Sequence, residues 1–200
     1  MTVPTAGQSM AAYKAKLPLT HQPPCHTLFV GHNPSLSTWE TGRFFANPSN
    51  RFWVLIQESG LHGVQQVESD DEMAEGFGFG FCDVLEQPGN NAGAIPKHEM
   101  EANIPVFLKR IENYATSMNG SLKRICFVGK RQWKHLFTPI LSRCTHGQQD
   151  EGNRPALWPE QLEGIEVWIL PSPSGRAVMN WEQRLAPYID LAAKINASKQ

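Results

Sequence analysis

The chain has 200 residues, 40% of them apolar and 18% charged, which suits one globular domain and excludes an intrinsically disordered chain. Its formal net charge of −1 supplies no general attraction to nucleic acid or to a membrane surface, so a polyanion must be held by a local patch. No apolar run approaches the roughly 18 residues needed to cross a bilayer, and the N-terminus lacks a secretory pattern. The expectation is a monomer that is not secreted and has no membrane partner.

Residues 1–24 contain Pro, Thr and Ala with no period and read as a flexible arm. Thr27–Val30 is a short apolar run, predicted as a buried strand that turns at Gly31. A Gly-, Pro- and Ser-rich loop follows to Asn50. Arg51–Ser59 predicts a helix with Phe52, Leu55 and Ile56 on one side, Ser49 or Asn50 as its cap, and Gly60 as its stop. Glu58, Glu68, Asp70, Asp71, Glu72 and Glu75 lie in a stretch without Lys or Arg and read as a solvated face or loop, away from any polyanion. Gly80–Val84 predicts a second strand. Within Lys97–Asn119, Ile104, Phe107, Leu108 and Ile111 recur at helical spacing. Arg124–Val128 predicts a third strand, Arg131–Leu141 a helix, 142–163 a polar loop, Glu166–Leu170 a fourth strand and Trp181–Ala192 a closing helix. Strands alternating with helices predict a parallel sheet of four strands covered on both faces.

Cys25, Cys82 and Cys126 lie in apolar, strand-like runs and read as buried thiols in a reducing compartment. No Cys-x-x-Cys or His-x-x-x-His pairing occurs, so neither a metal nor a cofactor is expected. Ligands of parallel sheets bind beyond the carboxyl ends of the strands. Two loops fall there, Gly31-His-Asn-Pro-Ser35 and Pro171-Ser-Pro-Ser-Gly-Arg176. Spacing alone leaves open whether they are tight turns or a site. A dinucleotide fold is disfavoured, because no Gly-x-Gly-x-x-Gly follows the first strand and the glycines of Gly76–Gly80 precede a strand.

The segment from Gly31-His-Asn-Pro-Ser35 through Phe44-Phe-Ala-Asn-Pro-Ser-Asn-Arg-Phe-Trp53 closely resembles the first motif of the mismatch-specific uracil/thymine DNA glycosylases, a branch of the uracil-DNA glycosylase superfamily. Gly78-Phe-Gly-Phe-Cys-Asp83, Val128-Gly-Lys-Arg-Gln-Trp133 and Leu170-Pro-Ser-Pro-Ser-Gly-Arg176 resemble further family segments in the same order. The resemblance covers residues 25–192, leaves 193–200 as a tail, and implies a three-layer α/β/α, uracil-DNA glycosylase-like fold with a short, mostly parallel four-stranded central sheet. It also implies a monofunctional enzyme of base-excision repair, which hydrolyses the N-glycosidic bond of uracil or thymine mispaired with guanine. The partner would be double-stranded DNA with a mismatched or damaged pyrimidine, met in a nucleus if the source is eukaryotic and in the cytoplasm if bacterial. Two other readings are a branch preferring deaminated purines and a non-catalytic damaged-DNA-binding module.

The same resemblance assigns roles. Asn33 matches the residue that positions water, and Phe45 the aromatic that stacks on an extruded base. An amide orients water without taking its proton. His32 and Ser35 would sit at the base pocket in place of an apolar residue and a glycine. Ser172, Ser174 and Gly175 would approach phosphates. Arg176 falls at the family's duplex wedge, with a plain phosphate contact as the alternative. Arg43, Arg51, Lys130, Arg131 and Arg184 are further cations available to phosphates. Leu170 replaces a histidine that other branches use to stabilise the leaving base. Asp83 ends the second strand and is expected at the catalytic site, either reading the N3–H of the base or activating water; a capping role is the structural alternative.

Overall fold

The computed structural model describes residues 25–62, 67 and 69–198; the expected arm 1–24 and Glu68 lie outside the described residues. Five strands form one sheet: β1 (Thr27–Gly31), β2 (Phe79–Asp83), β3 (Arg124–Val128), β4 (Gly147–Gln149) and β5 (Glu166–Leu170), in the order β2-β1-β3-β5-β4. β2, β1, β3 and β5 run parallel, as the βα alternation predicts. β4 pairs antiparallel with β5, so the sheet is mixed and has five strands where four were expected. The three residues of β4, Gly-Gln-Gln, carry no apolar alternation and sit at the sheet edge, where a short polar strand is the rule.

Six α-helices are described: α1 (Leu36–Thr41), α2 (Phe52–Ser59), α3 (Asp70–Phe77), α4 (Lys97–Ser117), α5 (Lys130–Lys134) and α6 (Trp181–Ala197). Side chains alternate across each strand, and the two faces feed two separate cores. Leu28, Val30, Ile125, Phe127, Val167 and Ile169 pack under Met100, Ile104, Phe107, Leu108 and Ile111 of α4. Phe29, Phe79, Phe81, Cys126, Val128, Trp168 and Leu170 pack under Phe52, Leu55, Ile56, Met73, Tyr188, Leu191 and Ile195 of α2, α3 and α6. Three layers result. Cys25, Cys82 and Cys126 are buried free thiols, and burial raises the pKa of each.

Four helices depart from expectation. α1 lies in a segment read as loop; six residues are too few to hold a helix alone, and this one is fixed by the Ser35 cap, by Gly42 in the left-handed region (φ 69°) and by burial of Trp39. α3 occupies the acidic stretch read as a solvated face or loop. Ser69 caps it, and Asp70, Asp71 and Glu72 fill its first turn, where the helix dipole favours anions. α5 stops at Lys134, short of the predicted Leu141; Pro139 lies in the stretch beyond and cannot carry a helix interior. α6 runs to Ala197, past the expected end at Ala192. No helix among the described residues is long and apolar enough to cross a membrane.

Candidate active site

The chain leaves β1 toward β2 on one side, then crosses to place β3 on the other. Neighbouring loops diverge at that switch point and open a crevice. A cleft of about 540 Å³ lies there. It is lined by the loops that follow β1, β2, β3 and β5, and it gathers His32, Asn33, Ser35, Phe45, Asp83, Ser172, Ser174 and Arg176. Sites read from segments more than 130 residues apart thus share one cavity. Lys130 and Arg131, at the start of α5, also line it.

Asn33 is fixed at both ends of its side-chain amide. Its Nδ2 donates to the carbonyls of Gly89 (2.9 Å), Pro34 (3.2 Å) and Gln87 (3.3 Å). Three acceptors around one atom identify it as the amide nitrogen. The oxygen, Oδ1, therefore faces His32 Nδ1 at 2.9 Å. The loop after β2 that supplies these carbonyls is zipped to the Asn33 loop, because Val84, Leu85 and Gly89 N–H groups donate to Gly31, His32 and Pro34 carbonyls. It is also held from behind by α4. Asn103 Nδ2 donates to the Val84 carbonyl, and Arg110 donates to the carbonyls of Asp83 and Val84 while pairing with Glu86 at 3.0 Å. Sequence reading missed this 87–91 loop. Its signal was the Gln-Pro-Gly-Asn-Asn turn composition.

Phe45 is half-buried with φ 57°, an uncommon conformation for a side-chain-bearing residue, costing about 1–2 kcal/mol. Its neighbours hold it there. Phe44 is core, Trp53 Nε1 donates to the Phe44 carbonyl at 3.2 Å, and the Phe45 ring stacks on Phe52 with centroids 3.9 Å apart. Phe45 thus lines the cleft with one ring face already covered.

Asp83 also lines the cleft and is buried. Gly31 and Asp83 are register partners at the carboxyl ends of β1 and β2. A Cβ on Gly31 would lie 2.0 Å from Asp83 Oδ1 and 3.7 Å from the Phe45 ring. The missing side chain is therefore the space the carboxylate occupies, and Gly31 is required for that reason rather than for a turn.

Several expected roles change. Ser35 lines the cleft, but its Oγ accepts from Thr38 N at 3.1 Å and bonds Thr38 Oγ1 at 2.9 Å, so the hydroxyl serves as the N-cap of α1. Ser35→Ala should lower stability by about 1 kcal/mol without moving base preference, read by thermal denaturation and by competition between substrates. Arg184, expected among the phosphate contacts, is buried and donates to the Ala177 carbonyl; it braces the loop after β5 from inside. Gly175 packs against the neighbouring loop, where a Cβ would come within 2.8 Å of the Ser49 carbonyl. The hydroxyls of Ser172 and Ser174 accept from the backbone N–H of Ser174 and Arg176, and each keeps a hydrogen to donate. Arg176 is exposed, as are Arg43 and Arg51. Two positions beyond Arg176, Val178 is fully exposed and Met179 partly so. Sequence reading passed over this apolar tip.

Burial pulls the His32 pKa down to about 4, and Arg131 and His135 push the same way against the Asn33 hydrogen bond. Burial also takes His146 to about 4. Both rings are neutral near pH 7, so His32 brings no cation to the cleft. The sign of the linkage follows. Between about 6.5 and 4 the unfolded chain binds protons that the folded chain refuses, so stability falls as pH drops through that window and the loss levels off below it. Thermal denaturation against pH should show this, with a shallower decline in His146→Gln.

Leu170, at the end of β5, is wholly buried in the core under α2 and α6. The cations lining the cleft among the described residues are Lys130, Arg131 and Arg176. Beyond this geometry, a family model for the uracil DNA glycosylase superfamily matches residues 20–194. That span is most of the chain, and the protein therefore belongs to this superfamily of DNA glycosylases, hydrolases that act on N-glycosyl bonds in DNA.

Proposed function

We propose that the protein is a monofunctional glycosylase that removes uracil, and thymine, mispaired with guanine in duplex DNA. One observation carries this reading: a single cleft joins Asn33, whose amide nitrogen is spent on three carbonyls, to Phe45, whose ring is propped by Phe52. The chemistry follows from those two residues. An extruded pyrimidine stacks on the Phe45 side of the cleft. The bond from C1′ to N1 breaks, and its electron pair leaves on the base. A water oxygen held by Asn33 Oδ1 bonds to C1′, and its proton passes to solvent or to the departing base. Asn33 orients and does not deprotonate, so the rate rests on positioning and on leaving-group stabilisation.

The position of Asp83 against Gly31, in the same cleft as Phe45, favours a role in reading the base. An ionised carboxylate accepts the N3–H that uracil and thymine carry and cytosine lacks. Arg176 lines the cleft and Val178 is exposed two residues on, and both support duplex engagement, Arg176 through phosphate or as a wedge and Val178 through an unstacked step.

The deciding experiment is a panel of duplexes carrying G·U, A·U, G·T and hypoxanthine, with single-stranded uracil as a control, scored by alkaline cleavage under single-turnover conditions. G·U cleaved fastest supports the assignment. Hypoxanthine cleaved fastest moves the protein to a purine-preferring branch, and tight retention without cleavage makes it a binding module. In the same panel, Arg176→Ala should lose more on duplex than on single strand if it acts as a wedge, and equally on both if it contacts phosphate only.

A further inference from the structure

The position before Asn33 holds an imidazole whose geometry gives it a task. We infer that His32 is a positioning residue, acting as the Nδ1–H tautomer to lock Asn33 Oδ1 in the orientation that holds the attacking water. The inference rests on the water-orienting reading of Asn33.

The argument starts from the amide. Nδ2 of Asn33 is surrounded by three carbonyl oxygens, which are acceptors only. The atom facing His32 is then the amide oxygen, also only an acceptor. A 2.9 Å contact between Oδ1 and a ring nitrogen is a hydrogen bond only if that nitrogen carries the proton. The tautomer of His32 is thereby fixed by a loop more than 50 residues away in sequence. The second nitrogen, Nε2, is buried and has no hydrogen-bond partner among the described residues, in keeping with a ring that needs only one proton. Its surroundings keep it neutral: the ring is taken out of water, and Arg131 and His135 are the charged or titratable groups that act on it.

The consequence concerns Oδ1. Two N–H groups shared among three carbonyls fix the nitrogen end of the amide, and one bond from His32 fixes the oxygen end, leaving one lone pair of Oδ1 for a water molecule. Without His32 the amide stays anchored, but its oxygen loses the donor that sets its direction and draws electron density toward it. An apolar residue at this position would leave the oxygen to solvent. His32 therefore acts through Asn33 and not on the base.

The test combines a spectroscopic and a kinetic readout on the full chain. Nitrogen-15 NMR of the histidine side chains should show His32 neutral, protonated on Nδ1, from pH 8 to 5.5. His32→Phe keeps a planar ring and removes the donor, and His32→Gln restores a donor. His32→Phe should lower single-turnover release of uracil from G·U duplex roughly threefold to tenfold, with duplex affinity unchanged, and His32→Gln should recover part of the rate. In an Asn33→Ala background His32→Phe should cost nothing further, because the two residues act as one unit. An Nε2–H tautomer, or an equal loss in both backgrounds, would overturn the inference while leaving Asn33 in its role. Wild-type release by Asn33→Ala would instead overturn the water-orienting reading, and this inference with it.

Discussion

Asn33→Ala should lose about two to three decades of single-turnover base release while its affinity for G·U duplex stays within a few-fold of wild type. The side chain is half-buried and its contacts lie within its own loop and the 87–91 loop, so its removal changes no exposed cation and leaves the binding rim intact. The loop itself should survive, because the backbone bonds from Val84, Leu85 and Gly89 to the Asn33 segment do not involve the side chain. Burst kinetics on a labelled duplex, with binding followed by fluorescence anisotropy, separate the two quantities. Asn33→Asp should outpace wild type where the carboxylate fits, since it accepts the water's proton as well as orienting it. The Asp also loses the two N–H donors of Nδ2 that the three carbonyls share, and sets an anion against the Gly89, Pro34 and Gln87 carbonyls. A fall in the thermal midpoint should accompany any gain in rate.

The second large effect is expected at a residue with no side chain. Gly31→Ala should abolish selectivity and most activity, because its Cβ would fall 2.0 Å from Asp83 Oδ1 and the carboxylate has to move. The backbone of Gly31 is an ordinary strand end paired with β2, so the fold should persist. Circular dichroism should remain native while release from G·U duplex falls by about a hundredfold, the scale that a 1 Å displacement costs. The companion variants separate the roles of Asp83. If its carboxylate reads N3–H, Asp83→Asn keeps much of the rate through its amide oxygen, and Asp83→Ala relaxes selectivity. If it serves as a base toward water, Asp83→Asn loses several decades and the wild-type rate falls on acidification. Wild-type behaviour in both variants would return Asp83 to a structural role.

The parts of the molecule legible in its sequence are those specified by neighbours in the chain. β3 and β5 match their predicted ends, because strands buried on both faces are continuous apolar runs. Gly60 stops α2 in the left-handed conformation that glycine tolerates. The extra strand was not legible, since Gly147-Gln-Gln149 pairs only through its backbone. The acidic helix α3 did carry signals, a Ser69 cap with Glu72 three residues on and Gly78 beyond its end, but its few apolar residues give only a short period. At the site, the two loops that gather in the cleft stood out by composition. Their partners did not. The carbonyls that fix Asn33 lie 54 and 56 residues away, the contact that demands Gly31 involves a residue of another strand, and Gly175 meets the backbone of Ser49. Arg184 read as a surface cation because sequence does not show which face of α6 meets the loop after β5.

The central claim is that this cleft hydrolyses the glycosidic bond of a mispaired pyrimidine, with Asn33 holding the water. Its most direct test is mass-spectrometric counting of free uracil released from G·U duplex in H₂¹⁸O by excess protein, alongside Asn33→Ala. The account predicts one uracil per duplex, ¹⁸O on C1′ of an abasic strand that stays intact until alkali, and a release slowed by about two decades or more in the variant. Bound duplex with no free base, strand scission before alkali, or equal release by Asn33→Ala would contradict it.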